Sequence, residues 1–200
     1  YSGSKLFARA EITLADNTKL TFEKDDFAMG ANGFSVNKSS SSTSSFDVGG
    51  VFAGQLNIKL INYDGQLDNY DFDGAQIKAE VGLSKNDGTV EFVRFGTFYV
   101  DTQDFSGGIV SLTAFDKIGY MNEKYSGRKS GRASEFIYDI CGKYGVIPNF
   151  SKMNNPNSEI ELADSDLGYT DRDIISYILQ ITGNYGFVDD LGNFVARWYD

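Results

Sequence analysis

The sequence predicts a mainly β protein with an α+β second part: a small antiparallel β-barrel followed by a small domain built from two helix-strand units. Three observations carry this expectation. Apolar and polar residues alternate through most of the first half, and a period of two buries one face of a strand. Glycine pairs and Asn/Asp turns separate the runs. After about residue 118 the apolar spacing changes to three and four, the period of a helix. The division is therefore residues 1–118, a barrel-like domain, and residues 119–200, an α+β domain.

Leu6, Ala8, Ala10, Ile12 and Leu14 open the first strand, with Phe7 breaking the polar face. Asp16-Asn17 marks a turn, and Lys19 to Phe22 returns as a short strand. Residues 37–45 read NKSSSSTSS, a run without an apolar anchor and hence a loop, or a segment ordered by a partner. Strand character resumes at Phe46 and Val48, and Gly49-Gly50 allow a bend. Leu56, Ile58 and Leu60 share a face, and Asn62 to Asn69 is turn-rich. Ala75, Ile77, Ala79, Val81 and Leu83 give the cleanest alternation. Asn86-Asp87-Gly88 joins them to a strand from Val90 to about Val100. Gly107-Gly108 then leads by a hairpin into Val110, Leu112 and Ala114. So many antiparallel strands can curl and hide their edges.

Ala133, Phe136, Ile137, Ile140, Cys141 and Tyr144 line one helical face, with Ser130 as a plausible cap. A second helix starts after Thr170, with Asp173 three residues on, close to a capping box. Its apolar face is Ile174, Ile175, Ile178 and Ile181, and Gly183 ends it. The two segments match at an offset of 41: Gly142-Lys143-Tyr144-Gly145 falls on Gly183-Asn184-Tyr185-Gly186. Each unit reads as a helix, a glycine stop and a short strand. The second continues through a hairpin at Asp189 to Gly192 into Phe194, Ala196 and Trp198. Ser151 to Ser158 reads as a loop.

Composition narrows the chemistry. The 200 residues are 41% hydrophobic, enough for a core, and no apolar run approaches a membrane span. The first residues carry no signal-peptide pattern, and the stop at Asp200 after an apolar stretch suggests a piece of a longer protein. The charge of −10 disfavours direct nucleic-acid recognition. Arg128, Lys129 and Arg132 are the nearest approach to a basic cluster and read as ordinary surface. The single Cys141 permits no internal disulfide and reads as a buried thiol; either the compartment is reducing or the core needs no staples. The chain has no histidine, the commonest metal ligand and acid–base group.

Asp16, Asp25, Asp26, Asp64, Asp68, Asp71 and Asp73 form the best acidic grouping, four of them in one loop around Gly65 and Gly74. No Glu closes an EF-hand there, so they read as turn formers, as do Asp164, Ser165 and Asp166. Glu80 and Glu91 could face one another across a hairpin, and solvated strand positions are the plainer reading. No nucleophile elbow, phosphate loop or dinucleotide motif is present. We expect no enzyme, no catalytic, cofactor or metal residue, and no cofactor. The 16 Phe, 12 Tyr and 1 Trp exceed what one small core needs, and some suit an interface.

The stretch Phe46-x-Val48-Gly49, then Ala53, Leu56, Leu60, Asn62, and Tyr70 followed by Gly74, resembles the amino-terminal barrel of tail hub proteins of contractile and siphon-type phages and prophages, also called baseplate hub or tail-associated proteins. So does the closing strand Val110-Ser111-Leu112-Thr113-Ala114-Phe115-Asp116. The Thr170-Asp171-Arg172-Asp173 helix start, the Gly183 stop and the Asp190-Leu191-Gly192-Asn193-Phe194 hairpin resemble the segment after that barrel. The resemblance covers most of the chain from Leu6 to Tyr199 and rests on the order of the pieces.

This resemblance implies a homotrimeric ring at the tip of a phage or prophage tail. Such a virion structural protein joins the tail tube to distal tail proteins and to a fibre or spike. It implies assembly in the bacterial host cytoplasm, a second barrel, and in some members a cell-wall hydrolase on a later domain; nothing in this chain matches such a module. The competing reading is a carbohydrate-binding module for cell-wall attachment, with exposed rings among Tyr63, Tyr70, Phe72 and Trp198. A third is a hydrolase with carboxylates across an unrecognised cleft.

Overall fold

The computed structural model describes residues 6–28, 33–38, 48–85, 87–163 and 168–198. Most of the serine run, Phe46, Asn86 and Asp164 to Asp166 lie outside the described residues. The chain forms two compact units, residues 1–37 with 55–115, and residues 38–54 with 116–200. A single cut at residue 118 assigns residues 38–54 to the first unit; they group with the second.

The first unit is one seven-stranded antiparallel sheet. Its strands are β1 (Leu6–Thr13), β2 (Lys19–Phe22), β3 (Phe34–Asn37), β5 (Gln55–Ile61), β6 (Gln76–Ser84), β7 (Val90–Ser106) and β8 (Ile109–Phe115), with β4 (Val51–Phe52) set apart in the other unit. Their order is β2-β1-β6-β7-β8-β5-β3. Alternation places Ala10, Ile12, Leu56, Ile58, Leu60, Ile77, Ala79, Val110, Leu112 and Ala114 in the core, joined by Phe72 and Phe98. Asn17 takes φ 68 in the first turn, where Asp16 accepts the Thr18 N–H, so the Asp16-Asn17 signal is realised. Gly107 and Gly108 both have positive φ, as a two-residue hairpin requires.

The sheet curls. After β2, Phe27 bridges Leu60 of β5 on the edge where β3 also pairs. Six inter-strand steps of about 4.8 Å would put that edge about 29 Å from β2 in a flat sheet. The five residues from Phe22 to Phe27 reach at most about 18 Å, so the two ends are drawn together. No β2–β3 ladder closes the sheet among the described residues.

Strand β7 runs to Ser106 rather than ending near Val100. Two bulges bend it: one residue is extra near Phe95, opposite Ala79/Glu80, and one near Asp101. Val48 sits in a turn, and the strand of that region is Val51–Phe52.

The second unit packs two helices on a four-stranded sheet. Its further elements are β9 (Ser130–Arg132), α1 (Ala133–Lys143), β10 (Pro148–Lys152), β11 (Glu159–Glu161), α2 (Asp171–Thr182), β12 (Asn184–Val188) and β13 (Phe194–Trp198). The order is β10-β13-β12-β4, with β9–β11 a separate pair. Strand β10 pairs in parallel with β13 and β4 in parallel with β12, and because β10 runs to Lys152 the expected loop 151–158 begins as a strand. Phe136, Ile137, Ile140, Cys141, Ile174, Ile175, Ile178, Phe194 and Ala196 form the core. Ile181, placed on the apolar face by spacing, is instead 67% exposed.

The caps differ from one helix to the other. Thr170 caps α2 with Asp173 reciprocating, and Gly183 ends it at φ 72, both as expected. Ser130 does not cap α1. It lies in β9, paired with Glu161 of β11, and Arg132 is the N-cap residue, its N–H donating to the Glu135 carboxylate at 3.1 Å. Gly142 does not stop α1 either, because the helix runs to Lys143 and Gly145 takes the left-handed turn. The Val146 N–H bonds Cys141 C=O and the Gly145 N–H bonds Gly142 C=O, a Schellman closure. Four residues then separate α1 from β10, whereas α2 reaches β12 through Gly183 alone.

Candidate interaction surfaces

The aspartate loop is structural. Asp64 Oδ1 accepts the Gln66 N–H, Asp71 Oδ1 accepts the Asp73 N–H and the Gln103 amide, and Asp68 Oδ1 accepts Asn62 Nδ2 at 2.7 Å. Those donors hold Asp71 below its usual carboxylate range. Each side chain serves the turn its backbone makes.

Glu80 and Glu91 do not face one another. Glu80 stands opposite Arg94 and pairs with Arg9, while Glu91 stands opposite Leu83 and pairs with Lys85. Alternation sends the two carboxylates to opposite faces of the hairpin. The outer face of β1, β6 and β7 is a ladder of satisfied pairs: Arg9 with Glu80, Lys78 with Glu11 at 2.7 Å, and Arg9 over the Phe92 ring at 3.9 Å. The Lys78 contact holds Glu11 below its usual range.

The basic trio is ordinary. Arg128 binds Glu135 and Asp139, and Arg132 lies 4.0 Å from Glu159. Cys141 is buried, and burial pushes its thiol up to about 12, where it is a small hydrophobe rather than a nucleophile.

Two carboxylates read in the sequence only as parts of a strand end and a helix start are buried. Asp116 follows β8 directly and is 2% exposed. Its oxygens accept the Gly54 N–H at 2.6 Å and the Ile118 N–H at 3.0 Å, and its own N–H donates to Gly54 C=O. Burial raises its pKa to about 6, outweighing those donors and the Lys38 charge, which lower it. The available signal was an Asp directly after an alternating strand. Asp171, also 2% exposed, accepts Lys143 Nζ and Tyr144 Oη, each at 2.7 Å. Lys143 also bonds Glu123 at 2.8 Å. These contacts keep Lys143 protonated beyond its ordinary range, and burial with the Asp171 bond pushes Tyr144 up to about 12. The clasp ties the carboxyl end of α1 to the amino end of α2, with charges that suit both helix dipoles.

Two apolar surfaces stand outside the cores. On β6 the core face of Ile77 and Ala79 continues outward as Val81, opposite Val93, and Leu83, opposite Glu91, with Phe95 at the bulge of β7. Leu83 is 49%, Val93 62% and Phe95 43% exposed. In the second unit Tyr185 stacks on Phe187 at 5.9 Å, with Phe52 at 6.1 Å, on the sheet face away from the helices. Of the four rings singled out by sequence, Phe72 is core with the Tyr70 ring 6.3 Å from it, Tyr63 borders an open cleft with Phe105, and Trp198 belongs to the second unit.

Among the described residues no helix is long and apolar enough to cross a membrane. No protein-family model and no curated protein matches the sequence. By fold the chain is similar to the 43 kDa tail protein of prophage MuSo2 from Shewanella oneidensis, with a TM-score of 0.54 and 14% identity over 96% of this chain and 56% of that one. It is similar to the tail protein from Neisseria meningitidis MC58, with a TM-score of 0.57 and 12% identity over 94% and 50%. It is also similar to a chain of the half-lidded Francisella PdpA–VgrG complex, with a TM-score of 0.52 and 12% identity over 98% and 31%. The chain spans about half the length of the two tail proteins. At these identities the likeness is one of fold.

Proposed function

We propose that this chain is a structural part of a phage or prophage tail tip, the amino-terminal region of a ring-forming hub. In the whole protein three copies form the ring and join the tail tube to distal tail proteins or a fibre, after assembly in the bacterial cytoplasm. The observation that carries this reading is that the likeness to two tail proteins spans both units, covering 96% and 94% of the chain, and is not confined to one common sheet. The carboxylates support it, since those of the turns, the outer ladder and the clasp are engaged in holding the fold. The exposed apolar arm of β6 and β7 offers contact surface for another copy. The net charge of −10 would limit adhesion of DNA passing through such a ring.

The test is the mass and shape of the full-length natural protein. Light scattering should give a trimer, and negative-stain images should show rings. A monomer at high protein concentration, with no rings, would remove the hub reading. A ring whose lumen is basic would remove the DNA-passage corollary alone.

A further inference from the structure

The first unit carries a cleft of about 550 Å³ between the 62–69 loop and the β7–β8 turn. We propose that this cleft binds a neutral saccharide. The proposal is independent of the hub reading and rests on four features of the cleft.

Two aromatic rings border it and both are held. Tyr63 is 76% exposed, yet its ring lies so close over Gly108 that a Cβ there would come within 2.4 Å of Tyr63 Cδ1. Phe105 is 41% exposed and keeps its ring 6.3 Å from the buried Phe72. Rings fixed from behind present a face at low entropic cost, as the C–H face of a pyranose requires.

The wall is pinned by Asn62, through its backbone and both ends of its amide. Asn62 is 7% exposed; its N–H donates to Gly108 C=O, its Nδ2 to Asp68, and its Oδ1 accepts the Leu67 N–H. The cleft is therefore preformed.

Polar capacity remains after that. Asp68 gives one oxygen to Asn62, and its second oxygen, Oδ2, stays available beside Gly65. Ser106 adds a hydroxyl, and the Gly107-Gly108 turn exposes backbone. A carboxylate oxygen with a hydroxyl nearby suits the donors and acceptors of a sugar's neighbouring hydroxyls.

The charge selects among saccharides. Asp68 lines the cleft and no Lys or Arg does. A sulfated or phosphorylated ligand would meet repulsion with no cation to offset it.

The experiment uses the 200-residue chain, labelled with ¹⁵N and titrated with chitotetraose, with maltotetraose and with a heparin-derived tetrasaccharide. One or both neutral saccharides should shift the amides of Gly65, Gly107 and Gly108 at millimolar concentration, and the sulfated one should not. Tyr63→Ala should weaken that binding at least about tenfold, the loss of one stacked ring. Asp68→Asn keeps an acceptor for Asn62 and should also weaken it, which guards against a Tyr63→Ala chain that folds poorly. The proposal fails if neither neutral saccharide moves these amides, if the sulfated probe binds as tightly, or if both variants bind like the parent.

Discussion

At the scale of single residues, Asp116 shows how burial and hydrogen bonding oppose each other. Two backbone N–H groups favour its charged form, and desolvation favours the neutral one more strongly. Its folded value, about 6, lies above the ordinary 3.8, so the folded state holds the proton more tightly. The stability this adds is complete below about pH 3.8 and is lost as pH rises through 6. The difference corresponds to about 3 kcal/mol. Urea melts of the parent and Asp116→Asn should therefore converge or cross: the parent's relative stability should fall by about 2–3 kcal/mol between pH 4 and pH 7.5. A pH-independent difference would show that the carboxyl titrates normally. Asp171 makes the complementary case, because both of its partners reach the same oxygen, Oδ2. Asp171→Ala strands Tyr144 Oη and releases Lys143, which water can partly serve. We expect a loss of about 2–3 kcal/mol in chemical denaturation. A loss below about 1 kcal/mol would mean the clasp is dispensable.

At the scale of elements, local pattern was a good guide wherever the controlling contacts are local. Alternation located the core residues of β1, β5, β6 and β8, and the Thr170/Asp173 pair located the start of α2. It could not reveal that Val51-Phe52 joins β12 in parallel, since that pairing links residues about 135 apart. Gly49 explains part of that path: its φ is 87, and a Cβ there would meet the α2 backbone at Gln180 within 2.7 Å. The face of Glu91 was likewise hidden, because it depends on the turn closed by the Lys85–Thr89 bond, which sets the Ser84–Val90 register. The offset of 41 matched the buried Ala133 and Ile137 to the buried Ile174 and Ile178, but it set the buried Phe136 and Ile140 against the exposed Tyr177 and Ile181 and misled at the glycines. Gly142 and Gly183 correspond in sequence, yet the two sites predict opposite outcomes. Gly142 lies inside α1 with nothing within 4 Å of a new Cβ, so Gly142→Ala should stabilise the chain by up to about 1 kcal/mol. Gly183 has φ 72 and lies under the Trp198 ring, 2.3 Å from a new Cβ. Gly183→Ala should cost about 1–3 kcal/mol and displace that ring. Trp198 is the single tryptophan, so its emission reports the displacement directly. Equal melting temperatures for the two variants would restore the equivalence of the glycines.

At the scale of the whole molecule, the sheet of the first unit contains more apolar surface than its own core uses. The side chains of β6 show the transition along one face: Ile77 and Ala79 are fully enclosed, Val81 is half-buried and Leu83 is exposed. The pleat continues past the point where the curled sheet can cover it. A strand meant for water would turn polar there, as the opposite face does with Glu80 and Arg94 of this hairpin and Arg9 of β1. Isolated exposed apolar residues need no explanation, but the cross-strand Val81–Val93 pair with Leu83 beside it forms a contiguous strip, bordered by Glu91 opposite Leu83. In the hub reading this arm meets a second copy, and the chain alone leaves it bare. Leu83→Lys with Val93→Glu should then separate two properties. Melting of the 200-residue chain should change by less than about 1 kcal/mol, because both positions are solvent-facing. The full-length protein should lose its trimeric mass, because charged side chains would be desolvated at each contact where apolar ones met. An intact trimer carrying both substitutions would place the ring contacts elsewhere. A chain that unfolds on gaining them would instead assign the arm to the monomer's own core.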